Sequence, residues 1–405
     1  MESELRVDRQ FPVQVMDAVT DTRETLAHAK QQAEERNLQD YVVFDVDSHI
    51  IETLHWKDIA QYIEDPVIRS QAMTSEKASS YGLNSAGGLL YQDVGGRIPH
   101  EGGLWESVED SEDSDVHRDV ILIQRAMECL SVDYMVVFPT SMLQLGMSPQ
   151  IPMQVLLTQA FNRFMVEHIL KSDNRIKTLI CLPFNDPEAS MRTIEEFAGE
   201  PGVIGFMITS VRNKPVQDNQ YMKIYAALEE RGLPLAFHAG YYWHEPVMEQ
   251  FHRFLGVHSV GFVLWNLVHL VNWIIHGLPE RFPNLKVMWV ESGLSWLPFI
   301  MQRLDNEYML RSSEAPALKR LPSEYIREMF FSGQPLERTN MKALEMNFEM
   351  VSAETQLLYA SDWPHQDFDL PSSIFDLPFL SEQGKRNILG ETALKLFNLE
   401  RPSGK

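Results

Sequence analysis

The sequence predicts an α/β protein whose eight parallel strands close into a barrel sheathed by helices, a (β/α)8 arrangement. Three observations predict it. Eight short runs rich in apolar, β-branched and aromatic residues recur along the chain, and stretches of helical periodicity separate almost every pair. The runs are near-continuously apolar rather than alternating, as expected of strands buried on both faces by helices. Several of them end in Asp, His or Glu, and in a barrel such C-terminal ends meet at one mouth.

The elements follow in order. Residues 1–40 form a polar arm with a helix expected from about Asp21 to Arg36, rich in Glu, Ala, Gln and Lys. It packs on the outside or on a partner subunit. Tyr41–Asp47 is the first strand, with Tyr41 to Phe44 as its apolar run. The stretch from Leu54 to Arg118 is irregular, with paired glycines and an acidic run from Glu106 to Asp115. Its aromatics Tyr81, Tyr91 and Trp105 suggest an ordered lid over the mouth rather than a disordered loop. Regular alternation then sets in. Strands are predicted at Asp133–Pro139, Lys177–Pro183, Val203–Ile208, Leu233–His238, Leu285–Glu291, Met329–Ser332 and Leu357–Asp362. Helices are predicted across Met153–Lys171, Pro187–Phe197, Tyr221–Arg231, Phe262–His276, Trp296–Tyr308 and Asn340–Met346. The chain is therefore read as an arm (1–40) and one barrel (41–400) that includes the 54–118 insertion.

Composition narrows the class. The 405 residues are 44% apolar, which is ample for a large core, and carry a formal charge of −22. That acidity argues against nucleic acid or an anionic membrane as partner, since both favour Lys and Arg patches. Cys129 and Cys181 are the only cysteines. A disulfide framework is excluded and a cytoplasmic location is expected. The N-terminus lacks a signal-peptide pattern, and no apolar run is read as reaching the roughly 18 residues of a membrane span. A small-molecule substrate is the expected partner, and a homo-oligomer, in the simplest case a dimer, is the expected assembly. No Walker loop, Gly-x-Gly-x-x-Gly or serine elbow stands where its chemistry would need it.

The chemistry is carried by strand ends. Asp45-Val46-Asp47-Ser48-His49 closes the first strand, and regular alternation would put Asp45, Asp47 and His49 on one side. His238 ends the fifth strand and Asp362 the eighth. A single histidine at a strand end is usually just a satisfied polar residue. Three ends that agree in chemistry and direction make a metal site, with carboxylate and imidazole donors suited to Zn, Fe, Mn or Co.

These motifs resemble the amidohydrolase-related (amidohydrolase-2) group of metal-dependent, TIM-like barrels. The resemblance rests on Phe44 to Glu52, on Phe237-His238, on the long stretch Leu278 to Trp296, and on Ala360-Ser361-Asp362-Trp363-Pro364-His365. It implies that Asp47 and His49 are the first-strand metal pair, His238 the fifth-strand ligand and Asp362 the eighth-strand ligand. Two departures stand out. The first-strand pair is Asp-x-His rather than His-x-His, and the sixth strand carries Glu291 where the group's decarboxylases carry a catalytic histidine.

Other candidates have two readings each. Glu291 is either a ligand or acid/base group, or a structural carboxylate paired with Arg303 or capping the next helix. Glu52 is a ligand or a helix-start carboxylate. His269, in an apolar helical stretch, is a ligand or a packing residue. His365 orients a substrate carboxylate or bonds its loop. Trp243, His244, His252 and His258 fall on the excursion after strand five, a candidate pocket wall.

If Glu52, His269 and Glu291 all face inward, two metals fit, and iron or manganese would be favoured over zinc. The leading expectation is a hydrolase in which Asp362 takes a proton from metal-activated water. The alternatives are decarboxylation of an aromatic or unsaturated acid, and a nonheme diiron monooxygenase on the same barrel.

Overall fold

A computed structural model describes residues 22–52, 55–74, 116–365, 367–403 and 405. Its centre is one eight-stranded parallel sheet in sequence order. The strands are β1 (Phe44–Ile50), β2 (Tyr134–Pro139), β3 (Ile176–Cys181), β4 (Val203–Thr209), β5 (Leu235–His238), β6 (Val287–Val290), β7 (Phe330–Ser332) and β8 (Leu357–Leu358). The seam from β8 back to β1 is made by single bonds. Val46 N–H donates to Tyr359 O at 3.0 Å, His49 N–H to Trp363 O at 2.7 Å, and Asp362 N–H to Asp47 O at 2.7 Å. Eight parallel strands with helical crossovers confirm the predicted barrel.

The apolar runs divide by parity. Val42, Phe44, Val46, Val136, Phe138, Leu179, Cys181, Met207, Ala236, Met288, Val290, Leu358 and Ala360 pack together as the barrel interior. The intervening residues, such as Phe206, Phe237, Trp289 and Phe331, face the helical layer in a second, larger cluster. Burying one such large side chain contributes about 1.5–3 kcal/mol, so the scaffold's stability rests mainly on these apolar layers. The C-terminal helix Thr392–Leu396 and Phe397 join the interior cluster, with Phe397 5.6 Å from Phe44 between ring centroids. Gly390 permits that close approach, because a Cβ there would lie 2.4 Å from Val42 O.

The helices are built by ordinary signals. Pro187–Phe197 has proline in its first turn, and Asp186 accepts the Ala189 N–H. Met341–Val351 is capped by Asn340 in the same way. The helix Thr22–Glu35 matches the predicted arm and packs beside Arg118–Leu130.

Several expectations need correction. β8 is two residues long, so Asp362 stands in the loop beyond it rather than on the strand. Helices Trp56–Ala60 and Pro66–Thr74 occupy part of the stretch read as irregular. The expected lid falls mainly on residues 75–115, outside the described residues. The helix read as Phe262–His276 runs from Phe254 to Ile275, 22 residues without a charged side chain. It is long and apolar enough to cross a membrane by length and composition, contrary to the sequence reading. It is nonetheless fixed to the sheet by polar groups: Asn266 donates to Val290 O at 3.0 Å and His269 to Ser210 O at 2.7 Å.

Candidate metal centre

A bulge in β1 creates the site. Asp45 pairs with Met135 but Ser48 already pairs with Val137, so β1 spends three steps where β2 spends two. Alternation is broken there, and Asp45 does not share a face with Asp47 and His49. Its carboxylate instead accepts from Ser361 N–H at 2.9 Å and from the Ser361 hydroxyl, tying β1 to the chain after β8. Burial, only partly offset by Ser361, pushes Asp45 up to about 7. Beyond the bulge, Asp47 and His49 turn into the mouth.

There they meet His238 from the end of β5, Glu291 just past β6 and Asp362 from the loop after β8. All five are at most 4% exposed. The imidazoles are oriented by backbone carbonyls, which only accept. His49 Nδ1 donates to Pro139 O at 3.0 Å and His238 Nδ1 to Ala239 O at 2.8 Å. Each ring thereby directs a bare Nε2 into the cluster, the usual preparation of a metal-bound histidine. His49 Nε2 lies 3.3 Å from Asp47 Oδ1 and 3.1 Å from Asp362 Oδ1, and His238 Nε2 lies 3.1 Å from Asp47 Oδ1. Metal bonds of about 2.1 Å at tetrahedral or octahedral angles put neighbouring donors about 3.0–3.4 Å apart. Asp47 Oδ2, His49 Nε2 and Glu291 Oε2 are buried without hydrogen-bond partners. The cluster is thus the right size for a divalent ion and incomplete without a cation.

Its electrostatics agree. Burial opposes ionisation of Asp47, yet His238 and His49 hold its carboxyl below the usual range. Asp362 is likewise held well below, against burial, by His365 and His49. His49 is drawn well above its ordinary value despite burial, because Asp362 and Asp47 flank it. Burial and then Asp362 drive Glu291 well above the usual carboxylate range. A site that attracts positive charge so strongly attracts a divalent cation for the same reason.

Glu291 and Asp362 share a further feature, a left-handed backbone at φ 56° and 66°. Non-glycine residues seldom adopt it, and the strain is typical of side chains held for function. The structural alternatives for Glu291 do not hold. Arg303 is largely exposed and its ion pair is with Glu307. The N–H groups of Leu294 and Ser295 are capped by Glu337.

His365 joins the site at its rim. Its Nδ1 bonds Asp362 Oδ1 at 2.7 Å, its ring stacks on His49 at 4.4 Å, and its Nε2 meets Thr140 Oγ1 at 3.2 Å. At 19% side-chain exposure it is more open than the metal-facing residues. Phe138, which the sequence did not single out, walls the site with its ring 4.7 Å from His238. Only its place at the end of β2 could have signalled that role.

Two candidates are not brought in. Glu52 accepts the N–H groups of Thr140 (3.1 Å), Ser141 (2.9 Å) and Met142 (2.9 Å), so its carboxylate is consumed by the turn after β2. Glu52→Ala is expected to leave metal content unchanged and to cost about 3 kcal/mol, because it strands buried N–H donors. Metal analysis beside thermal unfolding checks this, and loss of metal would restore Glu52 as a ligand. His269 donates to Ser210 O in the outer layer, and burial with nearby Arg212 pushes it down to about 3. Of the groups after β5, Trp243 packs with Met248 and Val257, while His258 contacts Tyr241, Phe254 and Phe262.

A separate group, His55, Asp58 and His117, has no counterpart in the sequence expectations. His117 Nδ1 accepts the Asp119 N–H at 3.2 Å, which leaves the ring proton on Nε2 facing Asp58 at 3.5 Å. That arrangement is a helix cap rather than a ligand set.

Fold and site together define a barrel with a candidate divalent-metal centre at its C-terminal mouth. The Amidohydrolase family profile matches residues 116–399, and the chain belongs to that family. Curated relatives include gamma-resorcylate decarboxylases from Polaromonas sp. and Rhodococcus jostii. They are 25% and 21% identical, over 59% of this chain and 76% of each relative. Similar solved structures include 5-carboxyvanillate decarboxylase from Sphingomonas paucimobilis (TM-score 0.61, 19% identity, 89% of this chain and 100% of that one). Another is a dihydroxybenzoic acid decarboxylase from Polaromonas sp. with bound manganese and 2-nitroresorcinol (TM-score 0.62, 17% identity, 89% and 98% covered). At these identities the structural likeness establishes the barrel fold.

Proposed function

We propose that this protein is a metal-dependent decarboxylase of a hydroxylated aromatic carboxylic acid. The observation that carries the reading is the buried cluster of Asp47, His49, His238, Glu291 and Asp362, with unpartnered atoms on Asp47, His49 and Glu291, in a chain related to gamma-resorcylate decarboxylases. We assign Asp47, His49, His238 and Asp362 as the ligands that would hold the ion, and Glu291 as the acid. Manganese suits the two carboxylates, and a relative's structure contains it. When bound, a divalent cation supplies charge stabilisation for the substrate's carboxylate and adjacent phenolic oxygens.

The reaction needs no oxidant: the bond from ring carbon to carboxylate breaks, CO2 leaves, and a proton takes its place. Glu291 would deliver that proton from Oε2, which lies 3.4 Å from His238 Nδ1, the nitrogen turned away from the cluster, and 4.0 Å from the cluster-facing His49 Nε2. It stands where the resemblance implies a histidine, so a carboxyl replaces an imidazole as acid. His365, partly exposed and bonded to Asp362, fixes that carboxylate's orientation. Phe138 offers the substrate ring an apolar wall.

The hydrolytic expectation finds no support among these relatives. The diiron expectation loses its basis with Glu52 and His269, and His49 has one free nitrogen to share between its neighbours. The test is a panel of ortho-hydroxybenzoates, 2,6-dihydroxybenzoate and 5-carboxyvanillate first, offered to manganese-loaded protein in D2O. The expected result is CO2 with one deuterium at the vacated carbon. Hydrolysis of esters or amides with no CO2 from any acid would contradict the proposal.

A further inference from the structure

Arg212 follows β4 and is 2% exposed, yet it has no ion pair among the described residues. Its neighbours Phe184, Tyr221 and Tyr225 belong to the cluster between sheet and helices, so the side chain lies in the outer layer, away from the metal centre. The guanidinium carbon sits 4.1 Å from the Phe184 ring centroid and 5.2 Å from that of Tyr221. Nε donates to Lys214 O at 3.0 Å, but Nη1 and Nη2 are buried with no acceptor in bonding geometry among the described residues. The Tyr221 hydroxyl beside them is buried, interacts with the guanidinium, and has no partner in full bonding geometry among the described residues. Tyr225, in contrast, is satisfied by Val216 O at 2.7 Å.

An unpaired buried charge is strongly disfavoured, and cation–π contact with Phe184 offsets only part of that cost. Guanidinium nitrogens form a planar fork that matches two oxygens of one anion. From this geometry we infer a second binding site, separate from the metal centre, in which Arg212 Nη1 and Nη2 and the Tyr221 hydroxyl enclose a small planar oxyanion of the carboxylate or bicarbonate class. The positive charge at Arg212 also accounts for part of the neutrality of His269 behind it.

The test uses the metal-loaded full chain in buffer free of carboxylates and chloride, with ionic strength held by sodium methanesulfonate. Sodium formate is titrated and thermal unfolding recorded. Wild type is expected to show a saturable rise in Tm that Arg212→Met lacks. Formate on the metal would shift both proteins alike, so only their difference counts. Tyr221→Phe keeps the ring and removes one donor, and should need about tenfold more formate. If Arg212→Met does not fold, that comparison decides alone. Equal responses of wild type and Arg212→Met, or of wild type and Tyr221→Phe, would overturn the site.

Discussion

His238→Ala is expected to fold normally, to lose its metal, and to be inactive. The side chain supplies Nε2 to the cluster and touches the interior apolar cluster only at its edge, through the Phe138 ring. Its ring nitrogen is fixed by Ala239 O, so no neighbour can replace it without moving backbone. Outer groups that merely orient ligands cost 10–100-fold in affinity or activity when removed, and a direct ligand is expected to exceed that, by roughly 10³-fold or more. Metal analysis, circular dichroism and CO2 release on one preparation check the three parts. Full metal occupancy in the variant would remove His238 from the ligand set.

The second large effect is at Glu291. Glu291→Gln keeps the volume and removes the transferable proton, so metal content should persist while CO2 release falls by about 10²–10⁴-fold. Glu291→Gly should be inactive too, yet unfold at higher temperature than wild type. It relieves the φ 56° conformation, which costs of order 1–3 kcal/mol, and removes a buried carboxyl with an unpartnered oxygen. Loss of metal in Glu291→Gln would make the residue a ligand, and unchanged metal with unchanged turnover would leave it without a role.

The barrel was legible because parallel strands buried on both faces write themselves as near-continuous apolar runs, clear in most of the eight and weaker at Met329–Ser332. β1 itself reads as Phe-Asp-Val-Asp-Ser-His-Ile and was found from the apolar run that leads into it. Strand lengths were less legible. The run Leu357 to Asp362 looks uniform, but pairing with β7 ends at Leu358 and the chain turns to bring Asp362 against Asp47. The convergence of Asp47, His49, His238 and Asp362, the proposed ligands, was legible from residue type at the ends of the predicted strands.

Asp45 was assigned to their face because alternation is the rule a sequence offers, and a bulge leaves no mark in residue type. Glu52 and His269 failed for a different reason. Their partners are the backbone N–H groups of residues 140–142 and the Ser210 carbonyl, and a sequence does not show which main-chain groups lack partners. Arg212 escaped notice for the converse reason, since an arginine reads as surface until its surroundings are known.

One measurement bears on the central claim, that a single divalent ion held by these four residues drives decarboxylation. Protein stripped of metal is titrated with manganese while CO2 release from the best acid of the panel is followed. Activity is expected to rise linearly from zero and break at one manganese per chain. A break at two, or turnover undiminished in the stripped protein, would contradict it.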